Sequence, residues 1–437
     1  MDQDTDGKIA MKIALVRKRY IDHGGAERYV ATLSKRLCDL GHEVHVYASE
    51  WKVDNRCKMQ DARCKIKNKE DLKSKSCGKI IFHRVPIIKG LSFVEALSFA
   101  INSKRLLKKE RFDVIHSCER TLYQDIYRAG EGCHREWLIQ RAKVESPTKT
   151  LLVRLNPLHQ VLLALEKRIF KGGHYKYIIA NSRRGKEQIV KHYEVPERKL
   201  KIIYNGVNSE RFQDLDRNLY RLRIRKEYGL EEKDKVLIFV GSGFKRKGLA
   251  YAIWAMATIK MPDVKLLVVG RDNPKRYINL SQRLNLNHRV IFAGSTPNIE
   301  KFYAASDVFI LPSIYEPFSN ACLEAMACEL PVITTEINGA SEVIKADENG
   351  YIIKESWDTD ALSDAIKKSL DLDRQLIRET NDKILKSFSW ERHVTEIVGL
   401  YLSICKKEGI CLGNNNNLQP HSGGHRFNGH DVFRNGE

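Results

Sequence analysis

The sequence predicts an α/β protein built from two parallel sheets with helices on both faces. Short apolar stretches alternate with amphipathic stretches of helical period, and the connections between them are short. This alternation is typical of parallel β-strands linked by helices. The pattern begins again after Asn205-Gly206, so we expect two Rossmann-like halves joined near residues 205–215.

The first half opens with a predicted strand at Lys12–Val16, then the Gly24-Gly25 turn and a helix that closes at Gly41. The apolar face of this helix carries Tyr29, Leu33, Leu37 and Leu40. Further strands are predicted at Glu43–Ala48 and Phe112–Ser117. Strand, turn and helix in this order form the βαβ unit of a parallel sheet.

The second half repeats this order. Its predicted strands are Lys235–Val240, Val264–Gly270, Val290–Ala293, Asp307–Leu311 and Pro331–Thr334, and a last helix spans Trp390–Ile404. We therefore expect an N-terminal domain at 11–205, a C-terminal domain at 206–390, and a helix at 391–405 that packs back on the N-terminal domain.

Two stretches do not fit the pattern. Residues 52–79 are basic, contain cysteines and have no clear period, which indicates an inserted surface loop. Residues 409–437 are rich in Gly, His and Asn, which predicts a disordered tail.

Composition narrows the classes of protein. The chain has 437 residues, 42% of them apolar and 30% charged, and a net charge of +20. No apolar run approaches the roughly eighteen residues of a transmembrane helix, and the polar amino end predicts no secretion signal. A basic chain favours polyanionic partners such as phosphorylated ligands, anionic membranes or nucleic acid.

The cysteines predict reduced thiols in the cytosol. Cys57, Cys64 and Cys77 are too far apart for C-x-x-C ligation, and Cys322 and Cys328 lie in an apolar stretch. We therefore expect neither a disulfide framework nor a cysteine metal site.

Two nucleotide-binding motifs fail at the turn that follows the strand Lys235–Val240. Gly243 and Gly248 have P-loop spacing, but Leu249-Ala250 stand where Lys and Ser/Thr are needed. Gly241-Ser242-Gly243 lacks the third glycine of a dinucleotide fingerprint. Three cations remain, Lys245-Arg246-Lys247, which could neutralise a diphosphate or simply face solvent.

A pair of carboxylates gives a stronger signal. Glu316 follows the strand Asp307–Leu311, at the carboxyl end where open α/β sheets bind ligands. Glu324 follows eight residues later, in the next helix, which is predicted at Ala321–Cys328, and can face the same crevice. Carboxylates suit vicinal sugar hydroxyls, and the helix start between them suits a phosphate.

These features resemble the retaining, GT-B-fold glycosyltransferases of family 4. The resemblance rests on Glu316 and Glu324 in E-x7-E, the Gly24-Gly25 turn, Asn205-Gly206-Val207 and the basic turn Gly241–Gly248, and it covers about residues 11–405. The segments HGGAER, GHEVHVYA, AGEGCHREWL and VGSGFKRKG are most similar to the subfamily of lipopolysaccharide core (heptosyl) α-1,3-glucosyltransferases. The resemblance to this family implies two Rossmann-like domains that face each other across a cleft.

The resemblance also implies roles for particular residues. Arg246 and Lys247 contact the donor diphosphate, Glu316 lies by the transferred sugar, and Glu324 holds the ribose. Further donor contacts are implied for Gly24, Gly25, Gly241, Phe318, Ser319, Asn320 and Ala321, and for the uracil loop at Gly294 and Ser295. Glu131 and His134 match a segment near the anomeric carbon, although a polar loop pair is as good an interpretation. Arg28 either contributes to the donor site from the first domain or makes a surface salt bridge.

The implied reaction moves a hexose, with glucose as the first candidate, from a UDP-sugar to a lipid-linked glycan such as the lipopolysaccharide inner core. Relatives retain the anomeric configuration without a protein nucleophile. No Asp-x-Asp follows an apolar strand, so we expect no required metal and no cofactor beyond the UDP-sugar co-substrate. UDP-galactose and UDP-N-acetylglucosamine remain alternatives, as do a sugar-nucleotide epimerase and a basic nucleic-acid-binding protein, although no nucleic-acid module is found.

The excess positive charge suggests where the enzyme works. Residues 134–170 hold seven Lys/Arg against three acids and include the apolar runs 151–153 and 161–165. A second basic cluster spans Lys104–Arg111. A basic amphipathic segment predicts peripheral binding to the anionic inner face of the cytoplasmic membrane, although the same leucines could pack in the core.

Overall fold

The described residues form two large parallel sheets, one in each half of the chain. The computed structural model describes residues 10–20, 25–51, 60–61, 78–213 and 216–407. Gly24, most of the 52–79 segment and the whole of the 409–437 tail lie outside the described residues.

The N-terminal sheet has eight parallel strands in the order β10-β9-β8-β7-β1-β3-β6-β5. They are β1 (Lys12–Val16), β3 (Glu43–Ala48), β5 (Gln60–Asp61), β6 (Lys79–Arg84), β7 (Val114–Ser117), β8 (Ile126–Arg128), β9 (Tyr177–Ala180) and β10 (Leu200–Ile202). A separate short ribbon pairs β2 (Arg19–Tyr20) with β4 (Glu50–Trp51).

Helices cover both faces of this sheet. In chain order they are α1 (Gly25–Asp39), α2 (Ser92–Leu107), α3 (His134–Ala142), α4 (Pro147–Leu155), α5 (Pro157–Gly172) and α6 (Arg183–Tyr193). The alternation of side chains along β1 decides which helix lies where, since successive residues point to opposite faces. Ile13 and Leu15 pack in one core cluster with α1, whereas Ala14 and Val16 pack in another with α2.

The C-terminal sheet has six parallel strands in the order β13-β12-β11-β14-β15-β16. They are β11 (Lys235–Val240), β12 (Val264–Val269), β13 (Val290–Gly294), β14 (Val308–Leu311), β15 (Val332–Thr335) and β16 (Gly350–Ile353). Its helices are α7 (Glu210–Gln213), α8 (Arg217–Glu227), α9 (Leu249–Thr258), α10 (Lys275–Arg283), α11 (Ile299–Ala304), α12 (Asn320–Ala327), α13 (Thr359–Leu370) and α14 (Arg374–Leu385).

The last helix, α15 (Trp390–Lys407), leaves the C-terminal half and packs on the N-terminal sheet. Val394, Ile397 and Tyr401 lie in the same core cluster as β1 and α1. The Tyr401 hydroxyl lies 2.7 Å from Nδ1 of the buried His116 on β7.

The strands expected from the sequence are present, with ends that differ by one or two residues. Three expectations need correction. Leu40 is 41% exposed because α1 already ends at Asp39. Residues 52–79 are not wholly a surface loop, since Gln60–Asp61 pairs with β6 at the sheet edge and β6 itself starts at Lys79. The sequence patterns also did not predict several strands: β6, which has six residues, β8, β9, β10 and β16, which have three or four, and β2, β4 and β5, which have two.

Candidate active site

Two loops of the C-terminal domain meet at the carboxyl edge of its sheet. The loop 241–248 follows β11, and the loop 312–319 follows β14, which pairs directly with β11. The Ile314 amide donates to the Arg246 carbonyl over 2.9 Å, which ties the loops together. The basic turn and the first glutamate of E-x7-E therefore lie side by side.

Glu316 binds both cations of the basic turn. Its Oε2 accepts from Arg246 Nη1 at 2.8 Å and from Lys247 Nζ at 3.0 Å. Burial opposes ionisation of Glu316, but the charges of Arg246 and Lys247 outweigh it and hold the pKa of this carboxyl below its ordinary value. The cluster is thus one carboxylate shared by two cations, which leaves an excess of positive charge for an anionic ligand.

Glycines make this cluster possible. Gly241 has a φ of +139°, and an added Cβ would lie 2.6 Å from Cε of Lys247, whose stem runs across it. Gly248 has a φ of +79°, and its Cβ would collide with the carbonyl of Pro312. Both positions need a residue without a side chain and with access to positive φ.

The start of α12 lies at the end of the same loop. The amides of its first turn have no acceptor within the helix, so they can bind an anion. The fully buried Asn338 positions this turn, since its Oδ1 accepts from the Ser319 amide at 3.3 Å and from the Ala340 amide at 3.0 Å. Ala321 accepts from the Tyr303 hydroxyl at 3.3 Å through its carbonyl.

Phe318 does not present its side chain to the cleft. The ring is 4% exposed and packs against Tyr204 and Phe388 in the core of the C-terminal domain. Any donor contact at this position must therefore come from its backbone, in keeping with the amide contacts expected of the turn from Phe318 to Ala321.

Glu324 faces the N-terminal domain from α12. Its Oε2 accepts from the Tyr303 hydroxyl at 3.2 Å, and its Oε1 lies 3.9 Å from Arg28 Nη1 on α1. Burial raises the pKa of Glu324 above its ordinary value despite these partners. The carboxylate is therefore poorly compensated, and ligand hydroxyls would stabilise its charge. Gly25, the first residue of α1, lies one turn from Arg28, while Gly24 is outside the described residues.

Gly294 and Ser295 lie at the end of β13, on the same sheet edge as the basic turn. Both are exposed, and the Gly294 carbonyl accepts from the Gly270 amide at 2.7 Å. β12 separates β13 from β11. The expected uracil loop after β13 thus lies at the same sheet edge as the cations after β11, two strands away from them.

Glu131 is the candidate site residue that the N-terminal domain contributes. It accepts from Arg17 Nη1 and Arg120 Nη1, each at 2.9 Å. Loss of water around the carboxyl opposes ionisation, but these two cations outweigh it and keep the pKa of Glu131 well below its ordinary value. A carboxylate held ionised in this way can stabilise positive charge, but it is a weak proton acceptor.

The segment that carries Glu131 touches the Glu316 loop. Cys133 donates its amide to the Tyr315 hydroxyl at 2.9 Å. A Cβ added to Gly132 would lie 2.3 Å from that hydroxyl and 2.6 Å from Pro317. The two domains therefore bring Glu131 and Glu316 to neighbouring segments.

His134 points the other way. Its ring Nε2 lies 3.1 Å from Nδ1 of His159 on α5, and its amide donates to the buried Glu166 at 2.8 Å. Burial, aided by the positive charge of Arg120, lowers the pKa of His134 to about 3. The geometry favours a structural role at the α3–α5 contact, contrary to the expectation of a catalytic residue.

Lys245 lies outside the cluster that Arg246 and Lys247 form with Glu316, although the sequence placed the three cations together. It forms an ion pair with the buried Glu145, which follows α3 in the N-terminal domain. Arg141 Nε lies 2.9 Å from the same glutamate oxygen. Lys245 thus joins the two domains instead of facing the donor site.

A further polar chain across the domains was not anticipated. Arg128 donates to Asn205 Oδ1, and Asn205 Nδ2 donates to Asn320 Oδ1 at 2.6 Å. The Arg128 guanidinium stacks on the Tyr29 ring, 3.6 Å from its centroid. Arg17, Arg120 and Arg128 each lie at or just beyond the carboxyl end of an N-terminal strand, a position that could have drawn attention to them.

Comparisons with known families agree with this architecture. Residues 23–211 match the family described as Glycosyltransferase Family 4, and residues 221–384 match Glycosyl transferases group 1. The solved structure of WaaG, described as a glycosyltransferase involved in lipopolysaccharide biosynthesis, superposes with a TM-score of 0.70 at 23% identity. This superposition covers 92% of this chain and all of the WaaG chain.

Fold and site together define a glycosyltransferase of the GT-B class. The chain belongs to the group 1/family 4 glycosyltransferases.

Among curated proteins, the lipopolysaccharide glucosyltransferase WaaG of Escherichia coli K12 is 24% identical over 82% of this chain and 90% of its own length. A UDP-Gal:alpha-D-GlcNAc-diphosphoundecaprenol alpha-1,3-galactosyltransferase of Escherichia coli is 29% identical over 73% and 82%. An uncharacterized glycosyltransferase of Methanocaldococcus jannaschii is 30% identical over 51% of this chain, and the match spans 59% of that protein.

A structure of Anabaena HepE in complex with UDP and glucose superposes with a TM-score of 0.64. The identity is 19%, and the match covers 90% of this chain and 99% of that one. At such identity the likeness supports the fold.

Proposed function

We propose that this protein is a retaining glycosyltransferase that moves a hexose from a UDP-sugar to a sugar of a lipid-linked glycan, such as the lipopolysaccharide inner core. The observation that carries the proposal is the cluster of Arg246 and Lys247 on Glu316 beside the start of α12. Fixed cations and helix amides suit a diphosphate whose negative charge grows as it leaves.

Glucose is the first candidate for the transferred sugar. Support comes from the glucosyltransferase WaaG, which is similar over most of both chains, and from the fold shared with HepE, crystallised with UDP and glucose. Galactose is the second candidate because the galactosyltransferase relative has the higher identity, 29%.

The retaining mechanism fits the residues at the cleft. Glu131 is bound by two arginines and His134 faces away, so neither is arranged as a free nucleophile. In our proposal the acceptor hydroxyl attacks from the side of the departing diphosphate and gives its proton to the diphosphate oxygen whose bond to the sugar breaks, while Arg246 and Lys247 stabilise that leaving group. Glu131 and Glu316 contribute negative charge next to the developing positive charge of the sugar.

The donor is tested by calorimetry and thermal shift with UDP, GDP, ADP and several UDP-sugars, with and without chelator. We expect UDP and one UDP-hexose to bind with chelator present. Failure of every UDP compound to bind would refute the donor assignment. Conversion of a UDP-sugar to its epimer without an acceptor would replace the transferase by an epimerase.

We further propose that the enzyme binds the anionic cytoplasmic face of the membrane through α4. Leu151, Leu152 and Leu155 are 57%, 68% and 66% exposed, so they do not pack in the core. Arg154 on the same helix and the basic residues of α5 supply positive charge around them. No helix among the described residues is long and apolar enough to cross a bilayer.

The membrane proposal is tested by sedimentation with vesicles containing anionic lipid at low salt. The variant Leu151→Asp/Leu152→Asp should lose most binding. The matched control is Leu219→Asp/Leu222→Asp, since these leucines are 55% and 64% exposed on α8 of the other domain. Equal sedimentation of both double variants would contradict the role of α4.

A further inference from the structure

A cluster of two histidines and a glutamate lies in the N-terminal sheet, apart from every residue assigned to the donor site. His45 lies on β3, His83 on the neighbouring β6, and Glu110 between α2 and β7. His45 Nδ1 lies 2.7 Å from His83 Nε2 and 3.9 Å from Glu110 Oε2. We propose that these three side chains form a zinc site.

The parallel register explains how the ligands converge. Tyr47 on β3 pairs with His83 on β6, so their side chains lie on the same face of the sheet. His45 precedes Tyr47 by two residues and therefore lies on that face as well. His83 stacks on Tyr47 with centroids 4.5 Å apart, and His45 packs edge-on against Phe112 at 5.1 Å. These contacts hold both rings close to the arrangement that an ion requires.

An outer carboxylate sets the proton on His45. Its Nε2 lies 2.7 Å from Glu43 Oε1, and a carboxylate can only accept there. The Nε2 atom therefore carries the proton, and Nδ1 presents its lone pair to the cluster. Without an ion, His83 Nε2 donates its proton to this lone pair, so zinc binding requires the tautomer of His83 that is protonated at Nδ1 instead. A carboxylate behind a histidine in this way is the usual outer partner of a zinc-bound imidazole.

The distances suit a small ion after a modest adjustment. Two ligands of a tetrahedral zinc, each about 2.0–2.1 Å from the metal, lie about 3.3 Å apart. The histidine nitrogens must therefore separate by about 0.6 Å, while the Glu110 oxygen moves closer by a similar amount. His83 and Glu110 are only partly buried, which leaves room for water as the fourth ligand.

Two imidazoles and one carboxylate are a donor set that zinc accepts. The ion would join β3, β6 and the segment after α2, so its effect would be to stabilise the N-terminal sheet. Lys12 competes for the glutamate, since its Nζ lies 2.6 Å from Oε1 of Glu110. The other oxygen, Oε2, lies 3.9 Å from His45 Nδ1 and also accepts from the Tyr47 hydroxyl at 3.3 Å, and it is the oxygen that we assign as the ligand.

The site is tested by titrating chelator-treated full-length protein with Zn²⁺ by calorimetry, with thermal unfolding in parallel. The variants are His83→Gln and Glu110→Gln, and the control is His288→Gln, since His288 is an exposed histidine of the other domain. Circular dichroism confirms that each variant is folded. We expect Zn²⁺ to bind wild type and control equally, to raise their Tm, and to bind both cluster variants at least tenfold more weakly.

Substitution of Co²⁺ for Zn²⁺ supplies a second readout. A visible absorption band of four-coordinate cobalt should form in wild type and control but not in His83→Gln. Absence of Zn²⁺ binding to the wild type would overturn the proposal. Binding of equal affinity in His83→Gln and Glu110→Gln would also overturn it, because the ion would then lie elsewhere in the chain.

Discussion

Replacement of Glu316 by glutamine distinguishes two roles of this carboxylate. It either takes part in the chemistry through its negative charge or only holds Arg246 and Lys247 in place. Glu316 accepts from Lys247 at 3.0 Å and from Arg246 at 2.8 Å, and the Glu316 and Lys247 side chains are only 10% and 11% exposed. Loss of the buried ionic bond to Lys247 costs about 2 kcal/mol. Arg246 is a third exposed, so solvent screening limits its part to about 1 kcal/mol.

The stability change sets the first expected result. A total of about 3 kcal/mol in a domain of this size lowers Tm by about 6–12 °C. The sign follows from the lowered pKa of Glu316, because an ionised carboxylate stabilises the fold above its ordinary pKa and loses that effect as pH falls. The Tm difference between wild type and Glu316→Gln should therefore shrink in acid.

Ligand binding gives the sharper test. Glutamine no longer neutralises Arg246 and Lys247, so UDP affinity should stay the same or rise by up to about tenfold, while turnover falls by about 10²–10³. UDP release from UDP-sugar measures turnover, and calorimetry measures affinity. The control is Glu329→Gln, since Glu329 also pairs with two arginines, Arg217 and Arg378, at the far end of α12.

Two results would refute this reasoning. Turnover at the wild-type rate in folded Glu316→Gln would remove the carboxylate from the chemistry. An equal loss of UDP affinity and turnover would mean that Glu316 acts by holding the two cations in place. Glu329→Gln should change neither quantity.

Three other substitutions or deletions test separate features. Glu324→Gln should raise Tm at pH 7.5, because burial raises the pKa of Glu324 and makes its charge unfavourable above that pKa, and this gain in Tm should vanish in acid. The same variant should bind UDP at least tenfold more weakly by calorimetry. An unchanged Tm and an unchanged UDP affinity would refute both statements. Gly241→Ala should lower the free energy of unfolding by about 1–3 kcal/mol in a denaturation assay, and it should lower turnover because the new methyl group displaces Lys247. The control Gly399→Ala lies in α15 with open space around it and should stabilise the protein slightly in the same assay. Equal effects of the two substitutions would contradict the argument from the positive φ of Gly241. Deletion of residues 409–437 should leave transfer unchanged, and a large loss would overturn the prediction of a dispensable tail.

Local patterns were enough to find much of the fold. The apolar run of β1 and the helix α1 after it are encoded within about thirty residues, so the spacing of apolar residues reveals them. Glu316 and Glu324 were equally visible, since one short segment carries both carboxylates and the helix start between them. Short strands such as β8 and β10 were missed because three residues hold too little pattern to distinguish a strand from a loop.

The sequence by itself determined the alternating strands and helices, the two halves and the cation–carboxylate motif of the donor site. Only the tertiary structure decided which side chains meet. Lys247 reaches Glu316 because β14 lies next to β11, and Glu131 is bound by Arg17 and Arg120 because their strands end at one edge. His134 turns away because Glu166 and His159 hold it from α5. These contacts depend on strand order and domain packing, which join residues far apart in the chain and leave no local period in the sequence.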